Sequence, residues 1–208
     1  MAARLPRPQP LPLIAVRGGQ QVVRQGEPGL GPWVVASGAL LAAAVSTDGR
    51  VLALDVLGPG DLVGEPDGRP AESGVRALRA SQLAPVDARS IAPLVAARAR
   101  RAAALARDLA WLDVQDRVET RLRDLADRFG VPAPRGVELT LALTQDDLAA
   151  LAGTSRESAN RALRALERAG RVSVMGRGRY LLHRRSARQE GERTTPACPT
   201  RRPPPLEG

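Results

Sequence analysis

The chain has 208 residues, 43% of them hydrophobic, which is enough for one large core or two small ones. Its formal net charge of +9 rests on arginine alone, since lysine is absent, and it favours a polyanionic partner such as nucleic acid. The single cysteine, Cys198 in a proline-rich tail, excludes a disulfide framework or a cysteine-ligated metal cluster within the chain, and no stretch reaches the ~20 consecutive apolar residues of a membrane helix.

The opening MAARLPRPQPLPL is too broken by proline for a signal-peptide core; residues 1–16 are expected to be flexible and the protein cytoplasmic. Over 17–88, short apolar runs (QVV, PWVVASG, LLAAAV, VLALDVLGPGDLVGE, GVRAL) alternate with turn residues, which predicts an antiparallel β domain. Asp48-Gly49 marks a hairpin between two of these runs.

Residues 89–112 read as one long helix in which Ala102, Leu105, Leu109 and Leu112 recur at three- and four-residue steps. So narrow a seam suits pairing with a second copy, and a homodimer is expected; the alternative is a helix folded back on its own domain. Asp113 then caps a second amphipathic helix carrying Val118, Leu122, Leu125 and Ala126 on its inner side.

After a Gly-Pro-rich loop, GVPAPRG, Thr144-Gln-Asp-Asp147 opens a short helix with capping-box character, Gly153 ends it, and Thr154-Ser-Arg-Glu157 opens the next. Two short helices about a glycine turn make a helix-turn-helix, and 172–175 with 180–182 make a β-hairpin wing. This domain spans 113–185, and the polar, proline-rich remainder, 186–208, is expected to be disordered.

On the helix after Ser155, Ala159, Leu163 and Leu166 form the inward stripe; Arg156, Asn160 and Arg164 form one outward row, and Glu157 and Arg161 another. Arginine's fork matches guanine O6 and N7, and glutamate accepts from cytosine N4, so an acid among arginines is explicable in a major groove but costs affinity for bare phosphate. Residues 144–185 hold nine arginines and four acids, a net of +5. Arg177 and Arg179 on the wing suit phosphates, which position a protein without reading sequence, and Thr144 is grouped with them.

The run from LAWLDVQDRVETRLRDLADRFG through LTQDDLAALAGTSRESANRALRALERAGRV to GRGRYLL, with its S-R-E-x-x-x-R core, resembles the Crp/Fnr transcription regulators. VVRQGEPG, WVVASGALLAAAVSTDGRVLALDVL and GPGDLVGE resemble the β domain of the same family, and together these segments cover about 20–185. The resemblance implies an α+β chain: an N-terminal cyclic-nucleotide-binding-like antiparallel β-roll, a long dimerisation helix and a C-terminal winged helix-turn-helix. It also implies base reading by Arg156, Glu157 and Arg161, phosphate contacts near Ser155, Ser158 and Arg177, and a palindromic TGTGA-like site. Asn160 stands where the family's type member has glycine, and its amide adds or alters one base contact. Double-stranded DNA and a second copy are the implied partners, with RNA polymerase a candidate third.

The family's nucleotide pocket pairs Gly-Glu with the ribose and Arg-Ser with the cyclic phosphate. Gly64-Glu65 are present, yet alignment back from Val75 puts Ala71 and Glu72 where Arg and Ser belong, and a carboxylate there repels phosphate. A shifted alignment restores Arg69 but leaves Pro70 with no backbone N–H. Ala102 and Ala103 stand where the family's long helix offers hydroxyls to adenine. The expectation is a degenerate effector pocket with no cyclic AMP response, no cofactor, no metal held by His183 alone and no catalysis. Two rivals stay open: gating by another small molecule or a protein effector, and an architectural protein coating DNA with little sequence preference.

Overall fold

The computed structural model describes residues 12–28, 31–176 and 178–184; Arg177, the first eleven residues and the 186–208 tail lie outside this set. Eight short strands build a β-roll from two antiparallel sheets. In one, β1 (Ile14–Val16), β8 (Ser81–Pro85), β3 (Trp33–Ser37) and β6 (Leu62–Val63) are neighbours in that order. In the other the order is β2 (Gln21–Val23), β7 (Gly74–Ala77), β4 (Leu40–Val45) and β5 (Val51–Leu57). Alternation along the strands points Val16, Val23, Val35, Leu40, Val75 and Leu83 into one core. The roll begins earlier than the expected residue 17, because β1 pairs with β8 through Ile14↔Leu83. A three-residue strand has too little alternation to stand out beside a proline-rich leader.

A helical arm follows: α1 (Ile91–Trp111), then α2 (Val114–Phe129), whose start is capped by the Asp113 side chain accepting from Asp116 N at 2.8 Å. The C-terminal domain comprises β9 (Val131–Ala133), β10 (Gly136–Thr140), α3 (Gln145–Leu151), α4 (Arg156–Arg168), β11 (Val172–Gly176) and β12 (Arg179–His183), with its strands ordered β11-β12-β10-β9. The segment GVPAPRG, expected as a loop, contains β9 and turns into β10. Pro132 is tolerated because β9 is an edge strand, where a missing N–H breaks no interior ladder.

The two halves share a core. Leu41, Ala53 and Val56 of the roll join Val118, Leu122, Leu148, Leu151, Leu163 and Leu166 of the helices in one apolar cluster. Around it, Arg101 of α1 and Arg128 of α2 each pair with both Asp55 and Asp61: Arg128 at 2.9 and 2.6 Å, Arg101 with Asp61 at 2.9 Å. Arg76 of β7 reaches Asp147 of α3 at 2.7 Å.

Of the four residues expected in the dimer seam, Leu105 is buried in its own chain, Ala102 is exposed, and Leu109 and Leu112 are half-buried. Leu105 is only 6% exposed within its own chain, and Leu109 lies beside Gly153 of the helix-turn-helix. Leu105 gains from burial and turns toward the protomer's own core, whereas Trp111 at the end of α1 stays 77% exposed. Besides Arg100, Arg107 and Trp111, α1 presents outward a stripe of smaller residues, Val95, Ala99, Ala102, Ala103, Ala106 and Ala110. Among the described residues no helix is long and apolar enough to cross a membrane.

Candidate nucleic-acid interface

Helix α3 starts with a complete capping box: Thr144 Oγ1 accepts from Asp147 N at 3.1 Å, and the Asp147 carboxylate accepts from Thr144 N at 2.9 Å. Thr144, expected at a phosphate, thus has its oxygen committed as an acceptor inside the box. Gly153 turns the chain at φ +58°, a left-handed conformation that favours glycine, and a Cβ there would stand 2.5 Å from Leu109 Cδ2. The N-cap of α4 is Ser155 rather than Thr154; its hydroxyl accepts from Ser158 N at 3.2 Å. That bond draws the helix start one residue later than the sequence pattern suggests.

From this start α4 buries Ala159, Ala162, Leu163 and Leu166 and turns Arg156, Glu157, Arg161 and Arg164 to solvent, with Asn160 half-buried beside them. The Arg161, Glu157 and Arg156 side chains are 70%, 81% and 62% exposed, so their ion pairs, Arg161–Glu157 at 3.7 Å and Arg156–Asp146 at 3.8 Å, are loose enough to yield to a base. Arg161 also donates to Ser158 Oγ at 3.1 Å. On the wing, Arg179 is bound to Glu138 of β10 at 2.7 Å, and that hydrogen bond holds the Glu138 carboxyl below its usual range. Arg179 therefore meets a phosphate only in competition with this carboxylate, and Arg177 lies outside the described residues.

In the roll, Gly64, Glu65 and Ala71 line a cavity of about 30 Å³, together with Ala42, Ser73 and Arg98. Arg98 of α1 closes it, donating to Glu65 at 2.9 and 3.3 Å and to Gly64 O at 3.2 Å. Glu72, expected in this pocket, points to solvent, as do Ala102 and Ala103; Arg69 is exposed and paired with Asp67 at 2.9 Å. Of the two residues expected at the phosphate, Ala71 thus faces this cavity and Glu72 does not. A second cavity, about 280 Å³, opens between β5, α1 and α2, floored by Ala53, Val56, Leu105 and Leu125 and rimmed by Arg121 and Asp124. Burial raises the Asp124 carboxyl above its ordinary value, with Arg121 opposing and Asp108 and Asp127 adding to the rise.

Residues 13–98 match the family model of a cyclic nucleotide-binding domain, and 105–187 that of a Crp-like helix-turn-helix domain. The CRP-like cAMP-activated global transcriptional regulator of Mycobacterium tuberculosis is 31% identical, with 76% of this chain and 79% of that one covered. The chain belongs to the Crp/Fnr family of DNA-binding transcription regulators. The cyclic AMP receptor protein of Thermus thermophilus is 30% identical, over 75% of this chain and 77% of its own. The solved c-di-GMP responsive global regulator CLP of Xanthomonas campestris superposes with a TM-score of 0.72 at 26% identity, covering 84% of this chain and 95% of that one.

In this Crp/Fnr protein, three groups that hold α4 in place escape sequence reasoning. Arg117 of α2 donates to Ala152 O at 2.8 Å and Leu112 O at 2.9 Å, tying the α1–α2 joint to the turn before α4. Glu119, 1% exposed, binds Arg123 at 2.8 Å and Arg171 at 2.7 Å, pinning the end of α4 to α2. Gln145 touches Arg156 and Asn160 at once. Glu119 has one legible trace, a carboxylate interrupting the apolar side of α2 next to Val118. The other two are polar residues at polar positions and carry none.

Proposed function

We propose that the protein is a homodimeric, sequence-specific DNA-binding regulator whose affinity for its site does not depend on cyclic AMP. The observation that carries the DNA reading is the exposed face of α4, where Arg156, Glu157, Asn160 and Arg161 stand on a helix anchored by its opposite, buried stripe. Such a face reads base edges through arginine on guanine and glutamate on cytosine, and a palindromic TGTGA-like site follows from the family likeness.

Dimerisation is supported by the outward alanine stripe of α1, which allows a second copy of the helix to approach closely. A dimer places two α4 helices on successive turns of the duplex. Independence from cyclic AMP is supported by the roll's cavity. Its volume of about 30 Å³ is far below the roughly 300 Å³ at which small-molecule pockets begin. Ala71 brings no charge to a phosphate there, and the carboxylate that a ribose needs is occupied by Arg98.

The test is selection of bound duplexes from a random pool, with and without cyclic AMP. The same palindrome in both pools is the expected result; a motif found only with the nucleotide overturns the independence. A second reading, gating by another small effector, is favoured by the 280 Å³ cavity between β5, α1 and α2, because an occupant there would touch both halves of the molecule. A thermal-shift panel of metabolites separates the two.

A further inference from the structure

Gln145, the first residue of α3, lies across the helix-turn-helix from Arg156 and Asn160 of α4. Its Oε1 accepts from Arg156 Nε at 3.2 Å and from Asn160 Nδ2 at 3.2 Å. The chemistry of the three groups fixes how each is turned. A guanidinium only donates, so the Gln145 atom facing Arg156 is the oxygen; the Asn160 atom facing that same oxygen is then its NH2 group.

Two consequences follow for what each side chain has left to offer. With Nε–H engaged, Arg156 has Nη2, and Nη1 once it leaves its loose 3.8 Å contact with Asp146, for a guanine. Asn160 has spent one of two N–H bonds and retains one donor and one acceptor. An adenine edge, with its N7 acceptor and N6 donor, needs one of each. We propose that Gln145 is a positioning residue for base reading, which holds Asn160 in the orientation that selects an adenine close to the guanine read by Arg156. The proposal rests on the DNA-reading face described above and names one base of its target.

The spacing agrees. Asn160 is one turn beyond Arg156 on α4, a rise of about 6 Å at 1.5 Å per residue, and stacked base pairs are about 3.4 Å apart. The adenine therefore falls within about two base steps of the guanine.

The experiment is selection from a random duplex pool with the full-length protein and with Gln145→Ala, Gln145→Glu and Asn160→Gly, each checked for an unchanged helical circular-dichroism spectrum. Wild type is expected to return a half-site with an adenine column within two steps of a guanine. The preference for that adenine over other bases drops about tenfold in Gln145→Ala and vanishes in Asn160→Gly. Gln145→Glu retains it, since a carboxylate accepts the same two bonds; its added charge lowers affinity for all sequences alike and leaves the ratio intact. A wild-type motif with guanine but no such adenine overturns the proposal and leaves the DNA reading standing. So does an adenine column unmoved by Gln145→Ala, or one lost equally in Gln145→Glu. No motif in any pool overturns both.

Discussion

Arg161 and Glu119 show how differently two charged side chains act in one small domain. Arg161 is solvent-exposed and loosely paired, so its removal leaves the fold intact. Arg161→Ala is expected to cost about 1–3 kcal/mol on the preferred site and to relax selectivity at one base pair, measured by fluorescence anisotropy on matched and singly substituted duplexes. Equal loss on every sequence would mean that Arg161 touches phosphate only. Glu119 is buried between two arginines, and truncating it strands Arg171, whose Nε already lacks a partner. Glu119→Ala should therefore destabilise the protein by about 3–5 kcal/mol in urea unfolding. A loss below about 1 kcal/mol, the scale of a surface pair, would show that water repairs the gap.

Helices α3 and α4 owe their relative placement to the turn between them and to what the turn touches. Gly153 combines a positive φ with close contact to Leu109 of α1, so the helix-turn-helix is seated on the long helix as well as on α2. In Gly153→Ala, backbone strain of roughly 1–2 kcal/mol adds to the cost of moving Leu109. The expected outcome is a lower Tm together with weaker DNA binding. A variant as stable as wild type would show that the turn relaxes freely. The cap of α2 is a milder case: Asp113→Ala removes one bond to Asp116 N and should cost about 1 kcal/mol, read from the same unfolding curves.

At the scale of the molecule, the ring of Asp55, Asp61, Arg101 and Arg128 and the Arg76–Asp147 pair join the roll to α1, α2 and α3. Each removal leaves half-buried partners uncompensated, so the ring resists displacement of α2 against the roll. The outward stripe of α1 makes its own prediction. Ala102→Arg with Ala106→Arg sets like charges and bulk on a face that neither the β-roll nor the helix-turn-helix covers. The double variant should stay folded, sediment as a monomer, and bind a palindrome no better than a single half-site. An unaltered dimer in sedimentation would move the interface away from α1.

Much of this was legible in the chain itself. Period-two and period-3.6 hydrophobicity, the capping residues Asp113 and Thr144 and the S-R-E-x-x-x-R core mark the α+β layout and the exposed face of α4, because these are local patterns set by which residues shun water. The chain left four things undetermined: which face of α1 turns inward, that Ser155 displaces Thr154 as the cap, that Glu72 leaves the pocket while Arg98 closes it, and that Gln145 meets Arg156 and Asn160. Three of these depend on residues well separated in sequence meeting in the packed chain; the cap is a choice between two adjacent hydroxyls that the local pattern leaves open. A leucine on a long helix has two apolar surfaces to choose between, and only the packed molecule decides between them.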